Sequence, residues 1–254
     1  MKNLHGSRKA NITTGALRVY IANLGAYTEG RLEGAWLDLP ATPEAIQEAF
    51  MEAGIDGIRY EEYAIHDFEN TTGIEMNISE YASISRLNEM AEALEGLDAW
   101  ELEQVKAYVN TTGYDVWEVI ENRSFENAIY VNVDLNASFN EERELAYAVV
   151  DELDGGIENL SQDTLEFHFD WEHFGRELQW DFDAITEDMD DEDRESLADM
   201  TNEEFAEWYV DGIGGLDQLG RATLESYFDY EAYGYDLQCQ GWVVDRETGL
   251  AVAE

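Results

Sequence analysis

The sequence predicts an α+β chain, an elongated row of small units: a three-stranded sheet with one helix, a helical middle and two related C-terminal α/β modules. Three observations predict this. Apolar residues alternate with period two near the N-terminus and recur at three to four residues after Ser83. A 25-residue segment returns 59 positions downstream. A net charge of −44 makes a single compact body repel itself, which favours several small bodies in line.

The first elements follow from local pattern. Val19, Ile21 and Leu24, then Ala35 to Leu39, then Tyr60 to Phe68 read as strands, and Thr42-Pro43-Glu44 opens a helix because proline at the first helical position already has the right φ. Ile46, Phe50 and the intervening alanines form its apolar face. After Ser83 the period is helical: Ile84, Leu87, Met90, Ala91 and Leu94 share one side. Asp98 and Glu101 form a capping box ahead of Leu102, Val105 and Val109, and a short helix follows at Val116 to Ile120. Ala128 to Leu135 alternates again and reads as a strand.

The repeat runs from Gly155 to Gln179 and again from Gly214 to Gln238, with twelve of 25 positions identical. Gly155/Gly214, Thr164/Thr223, Phe169/Phe228, Asp170/Asp229, Glu172/Glu231 and Gly175/Gly234 are among them. That is a tandem duplication. An acidic helix precedes each copy, Asn140 to Leu153 and Thr201 to Asp211, the second opened by a Thr201/Glu204 capping box. Between the copies, Asp188 to Asp193 reads as a hydrated acidic turn. The expected boundaries are a mobile basic leader at 1–16, an α/β domain at 17–75, a helical domain at 76–125 and the two modules at 126–185 and 186–254.

Composition narrows the function. The 254 residues hold 58 acids, 14 bases and 44% hydrophobic residues, too apolar for a disordered acidic tail. Met1 to Arg18 contains Lys2, Arg8, Lys9 and Arg18 and no acid, so the remainder carries a net −48, equal to the phosphates of about 24 base pairs. Such a surface repels nucleic acid. Neither a membrane-length apolar run nor a secretory core is visible, which points to the cytosol. Cys239 stands alone, so there is no disulfide within the chain and no cysteine metal site.

Chemistry-bearing motifs are weak. His168 and His173 lie five apart, and the second copy has Tyr227 and Ala232 in their places, so they do not read as metal ligands. His66 sits in a strand pattern. Asp188, Asp190 and Glu192 alternate as in a calcium loop, but the sixth position is Asp193 where glycine is required. Phosphate-loop, nucleophile-elbow and zinc-protease motifs do not occur. Trp171, Trp180, Tyr230 and Trp242 read as core aromatics. No catalytic residue, metal or cofactor is therefore expected. Composition alone leaves mimicry of nucleic acid and adaptation to high salt side by side, with a carboxylate-dependent hydrolase as a remoter alternative.

The block from Val19 to Pro40 resembles the N-terminal signature of the ArdA antirestriction family, with Val19-Tyr20-Ile21-Ala22-Asn23-Leu24-Gly25 at its start and Gly34-Ala35-Trp36-Leu37-Asp38-Leu39-Pro40 at its end. Glu61-Glu62-Tyr63-Ala64-Ile65-His66-Asp67, Ile78-Ser79-Glu80-Tyr81 and Asp229-Tyr230-Glu231-Ala232-Tyr233-Gly234 are further matches. The resemblance implies a curved protein that pairs into a homodimer through its C-terminal part and carries carboxylates arrayed like the phosphates of bent duplex DNA. It implies inhibition of type I restriction-modification enzymes at their methyltransferase and specificity core, carriage on mobile genetic elements, and no catalytic residues. Another basic DNA-binding protein is the alternative target. The family pattern holds one copy of the repeated module; this chain has two and adds the basic leader.

The expected mimic surface is Glu141, Glu142, Asp151, Asp154, Glu158, Asp163, Asp170, Glu172, Glu177, Asp181, Asp183, Glu187, Asp188, Asp190, Asp191, Glu192, Asp193, Asp229, Glu231 and Asp236.

Overall fold

The computed structural model describes residues 15–254 and is mixed α and β, as the sequence predicts. The basic residues Lys2, Arg8 and Lys9 of the leader lie outside the described residues. Contacts divide the chain into two compact units, one ending at Tyr130 and including Glu254, the other Val131–Ala253.

In the first unit, β1 (Leu17–Asn23) is the central strand between β2 (Gly34–Leu39) and β3 (Tyr63–Asn70), antiparallel to both. Leu17 faces Leu39 and Val19 faces Leu37, so the alternation that predicts the strands puts one apolar face inward. The first strand stops at Asn23, and the expected extension through Leu24 is instead a short helix, α1 (Leu24–Thr28). Asn23 explains the switch: its fully buried side chain accepts from the Ala26 N–H at 2.9 Å and donates to the Ala53 carbonyl at 3.1 Å. The third strand starts at Tyr63, later than expected. The Asp56 carboxylate gathers the N–H groups of Ile58, Arg59 and Tyr60, bending the chain up to that point. Those three bonds favour the charged carboxylate and hold Asp56 below its ordinary pKa.

Helix α2 (Pro43–Glu52) is capped by Thr42, as expected. Ile84, Leu87, Met90, Ala91 and Leu94 are the buried face of α3 (Ile84–Gly96), and the Asp98/Glu101 capping box opens α4 (Ala99–Thr112). The short helix is α5 (Val116–Asn122).

In the second sheet, β4 (Ile129–Asn132), β6 (Leu250–Ala253) and β5 (Val243–Asp245) lie in that order. The strand expected over Ala128 to Leu135 is thus halved, because the Asp134 carboxylate accepts from the Asn136 N–H and turns the chain. Helix α6 (Glu141–Val149) continues into a π-turn over Val150–Asp154. Then come α7 (Gln162–His168), α8 (Trp171–Leu178), the four-residue α9 (Phe182–Ile185), α10 (Asp191–Ala198), α11 (Asn202–Ile213), α12 (Arg221–Tyr227) and α13 (Tyr230–Cys239). The Thr201/Glu204 box caps α11 as predicted.

Two expectations need correction here. Asp188 to Asp193 is not a turn throughout: Asp190 accepts from the Asp193 N–H and caps α10, whose first turn is Asp191, Glu192 and Asp193. Acids in a first turn oppose the positive end of the helix dipole, which favours a helix here over a hydrated loop. Trp180 is not a core residue but 79% exposed, whereas Tyr230 and Trp242 are buried.

One apolar core fills the second unit and draws on both repeat copies: Leu165, Phe169 and Phe174 from the first, Leu224, Phe228, Tyr230 and Leu237 from the second.

Candidate functional site

Every carboxylate expected on the mimic surface lies in the second unit. Glu141, Glu142, Asp154, Glu177 and Asp236 are half-buried and the remainder exposed. All but Glu142 and Asp154 fall into three groups by what their oxygens touch.

The first group serves the fold. Asp170, Asp190 and Asp229 accept from the backbone N–H groups of His173, Asp193 and Ala232 at helix starts. Glu172 accepts from the Asn202 amide at 2.9 Å, and Glu177 from the Tyr227 hydroxyl at 2.5 Å. Burial and the Glu177 charge push Tyr227 up to about 12. Asp236 lies 3.5 Å from His168 Nε2.

The second group is neutralised by arginine. Glu141 pairs with Arg246 at 2.6 Å and Asp183 with Arg194 at 2.6 Å, while Arg221 lies 3.5 Å from both Asp151 and Glu158. These internal cations offset part of their charge, so the four contribute less outward charge than their exposure implies.

The third group faces solvent with no ion-pair partner among the described residues: Asp163, Asp181, Glu187, Asp188, Asp191, Glu192, Asp193 and Glu231. Six of these eight lie between α8 and the first turn of α10. The expected set leaves out three further acids within the acid-rich stretch from Glu141 to Asp211. Glu203, Glu207 and Asp211 are exposed on α11 at four-residue spacing, one stripe of carboxylates about 6 Å apart along the axis. The spacing of four was the available signal. Glu195 and Asp199 add exposed acids on and just after α10.

The fold accounts for the three histidines among the described residues. His66 is an exposed strand residue edge-on to Tyr27. His173 lies 3.3 Å from Glu177 on the same helix. His168 is 6% exposed, packed edge-on to Phe167 and Tyr233. Burial lowers its pKa, opposed by the charges of Asp236 and Asp229. No group of three or more metal-ligating side chains forms among the described residues.

That burial has a sign. Unfolded, His168 takes up a proton near pH 6.5, and folded only at lower pH. Its contribution to stability is present above about 6.5 and is lost as the pH falls towards its folded pKa. His168→Tyr, which installs the residue of the second copy, is expected to flatten this fall in stability between pH 7 and 5. Urea unfolding of both proteins across that range measures it, and equal slopes would refute the assignment.

Burial raises the Asp154 carboxyl above its ordinary pKa. Glu204, Glu29 and Asp56 shift the other way. No described helix is long and apolar enough to cross a membrane.

A family model for antirestriction protein (ArdA) matches residues 19–188 and, a second time, residues 178–252. No curated protein matches the chain. The second match takes in α11 to β6, the second repeat copy, in agreement with the duplication read from the residues. The two matches span both described units, and the chain belongs to the ArdA family of antirestriction proteins.

Proposed function

We propose that this antirestriction protein acts as a surrogate of duplex DNA: its carboxylates occupy the lysine- and arginine-lined groove of a type I restriction-modification enzyme, at the methyltransferase and specificity core. The observation that carries the reading is the run of exposed carboxylates from Asp181 to Asp193, of which, among the described residues, only Asp183 has an arginine partner and Asp190 caps a helix, together with the exposed Glu203, Glu207 and Asp211 on α11. Phosphate contacts supply most of the affinity of a DNA-binding protein and carry no base sequence, so a rigid array of negative groups competes with substrates of any recognition sequence. The protein performs no chemistry, binds no nucleic acid and works in the cytoplasm, where its target is found.

Purified protein is expected to displace a DNA duplex from a type I methyltransferase. The inhibition constant should weaken at least tenfold between 50 and 300 mM salt, because the contact is between exposed charges screened over about 10 Å. Failure to compete at low salt with several such enzymes would reject this target class. Capture of a different basic DNA-binding protein would redirect the mimicry to that protein.

A further inference from the structure

The repeat supports an inference that does not rest on the acidic surface. The first copy consists of α6, the Gly155-Gly156 turn, α7 and α8; the second of α11, the Gly214-Gly215 turn, α12 and α13. If each copy closed on itself, α8 would cover α6 and α13 would cover α11. The structure has the opposite pairing: α13 lies along α6, and α8 lies along α11.

The exchange is reciprocal at atomic detail. The Asp170 N–H donates to the Tyr227 carbonyl at 2.7 Å, and the Asp229 N–H to the His168 carbonyl at 2.7 Å. A Cβ on Gly175 would lie 1.8 Å from the Asn202 carbonyl oxygen, and one on Gly234 1.8 Å from that of Glu142. Tyr227 bonds Glu177 while His168 meets Asp236, again the same two repeat positions in both directions. Phe169 and Phe228, equivalent in the repeat, form an antiparallel bridge, so a local twofold axis passes between them. Residue i on j together with j on i is the signature of an isologous contact, normally made by two identical chains.

We propose that the duplicated module is a dimer made within one chain: each copy's self-complementary helix face is covered by the other copy, and no second chain is needed to close it. The tether between α8 and α11 decides the competition. The connection, residues 179–201 with α9 and α10 in it, holds the second copy at an effective concentration of roughly millimolar, so at micromolar protein the internal contact is favoured roughly a thousandfold over exchange between chains. For this face, the internal pairing replaces the two-chain pairing that the sequence resemblance implies.

The test uses the full chain. Phe169→Cys with Phe228→Cys, in a Cys239→Ser background, places two thiols across the bridge at a separation suited to a disulfide. The expected oxidised product has the mass of one chain. The unmodified protein should in addition show a thermal midpoint unchanged over a hundredfold range of concentration. A two-chain disulfide, no disulfide in a folded variant, or a midpoint rising by several degrees with concentration would overturn the proposal. If the cysteine pair does not fold, the midpoint of the unmodified chain decides. Neither measurement depends on inhibition of any enzyme.

Discussion

Gly234→Ala is expected to destabilise the C-terminal unit by about 3 kcal/mol or more, lowering its thermal midpoint by roughly 10 °C. The added methyl would sit 1.8 Å from the backbone oxygen of Glu142, an atom that α6 cannot move without shifting the whole helix. Most of the close approach between α13 and α6 would have to open, exposing Leu145 and Val149. Gly175→Ala meets Asn202 in the same way on the other side and should cost about as much. Gly212→Ala is the control: the residue lies inside α11, nothing approaches its Cβ position, and replacing a helical glycine gains up to about 1 kcal/mol. Circular dichroism melts of the three variants measure this, and a Gly234→Ala protein as stable as its parent would refute the close packing.

Changing Asp181, Glu187, Asp188, Asp191, Glu192 and Asp193 together to their amides is expected to weaken inhibition of a type I methyltransferase by more than a hundredfold. Any one change alone should cost less than about fivefold. Each exposed carboxylate contributes on the order of 0.2–1 kcal/mol against a basic groove, so six together reach roughly 3 kcal/mol. Asp190 is kept, because its carboxylate caps α10. The three acids of the first turn of α10 also oppose its dipole, so helical content has to be checked alongside affinity. A single amide that removed all inhibition while leaving the fold intact would point to one dominant contact and sink the distributed surface.

How far the sequence foretold these features depended on whether a local cause was present. Strands β1 and β2 were legible from alternating side chains, and α3 from five residues that share one face. Caps at Thr42, Asp98 and Thr201 were legible because each is a short-range bond between named atoms. Helix α1 left no trace, since it is five residues long and only Ala26 in it is buried. Helix α10 was masked because a run of acids resembles a solvated loop until its cap is seen. The candidate carboxylates were found by counting, but which of them arginines neutralise depends on contacts such as Glu141 to Arg246, more than a hundred residues apart. The duplication was plain in the residues, yet nothing in either copy states which one covers the other.

The π-turn after α6 has a consequence of another kind. Gly156 N–H bonds the Val150 carbonyl as Gly215 N–H bonds that of Val210, yet one more residue separates the first pair. Two separate chains built from one gene would carry any such insertion twice, and both sides of their joint would have to tolerate it. Welded copies escape that constraint. Each half is free to drift, so an imidazole can stand where its twin keeps a phenol, and a symmetric ancestor can give rise to a protein whose two flanks no longer share the same sensitivity to acid.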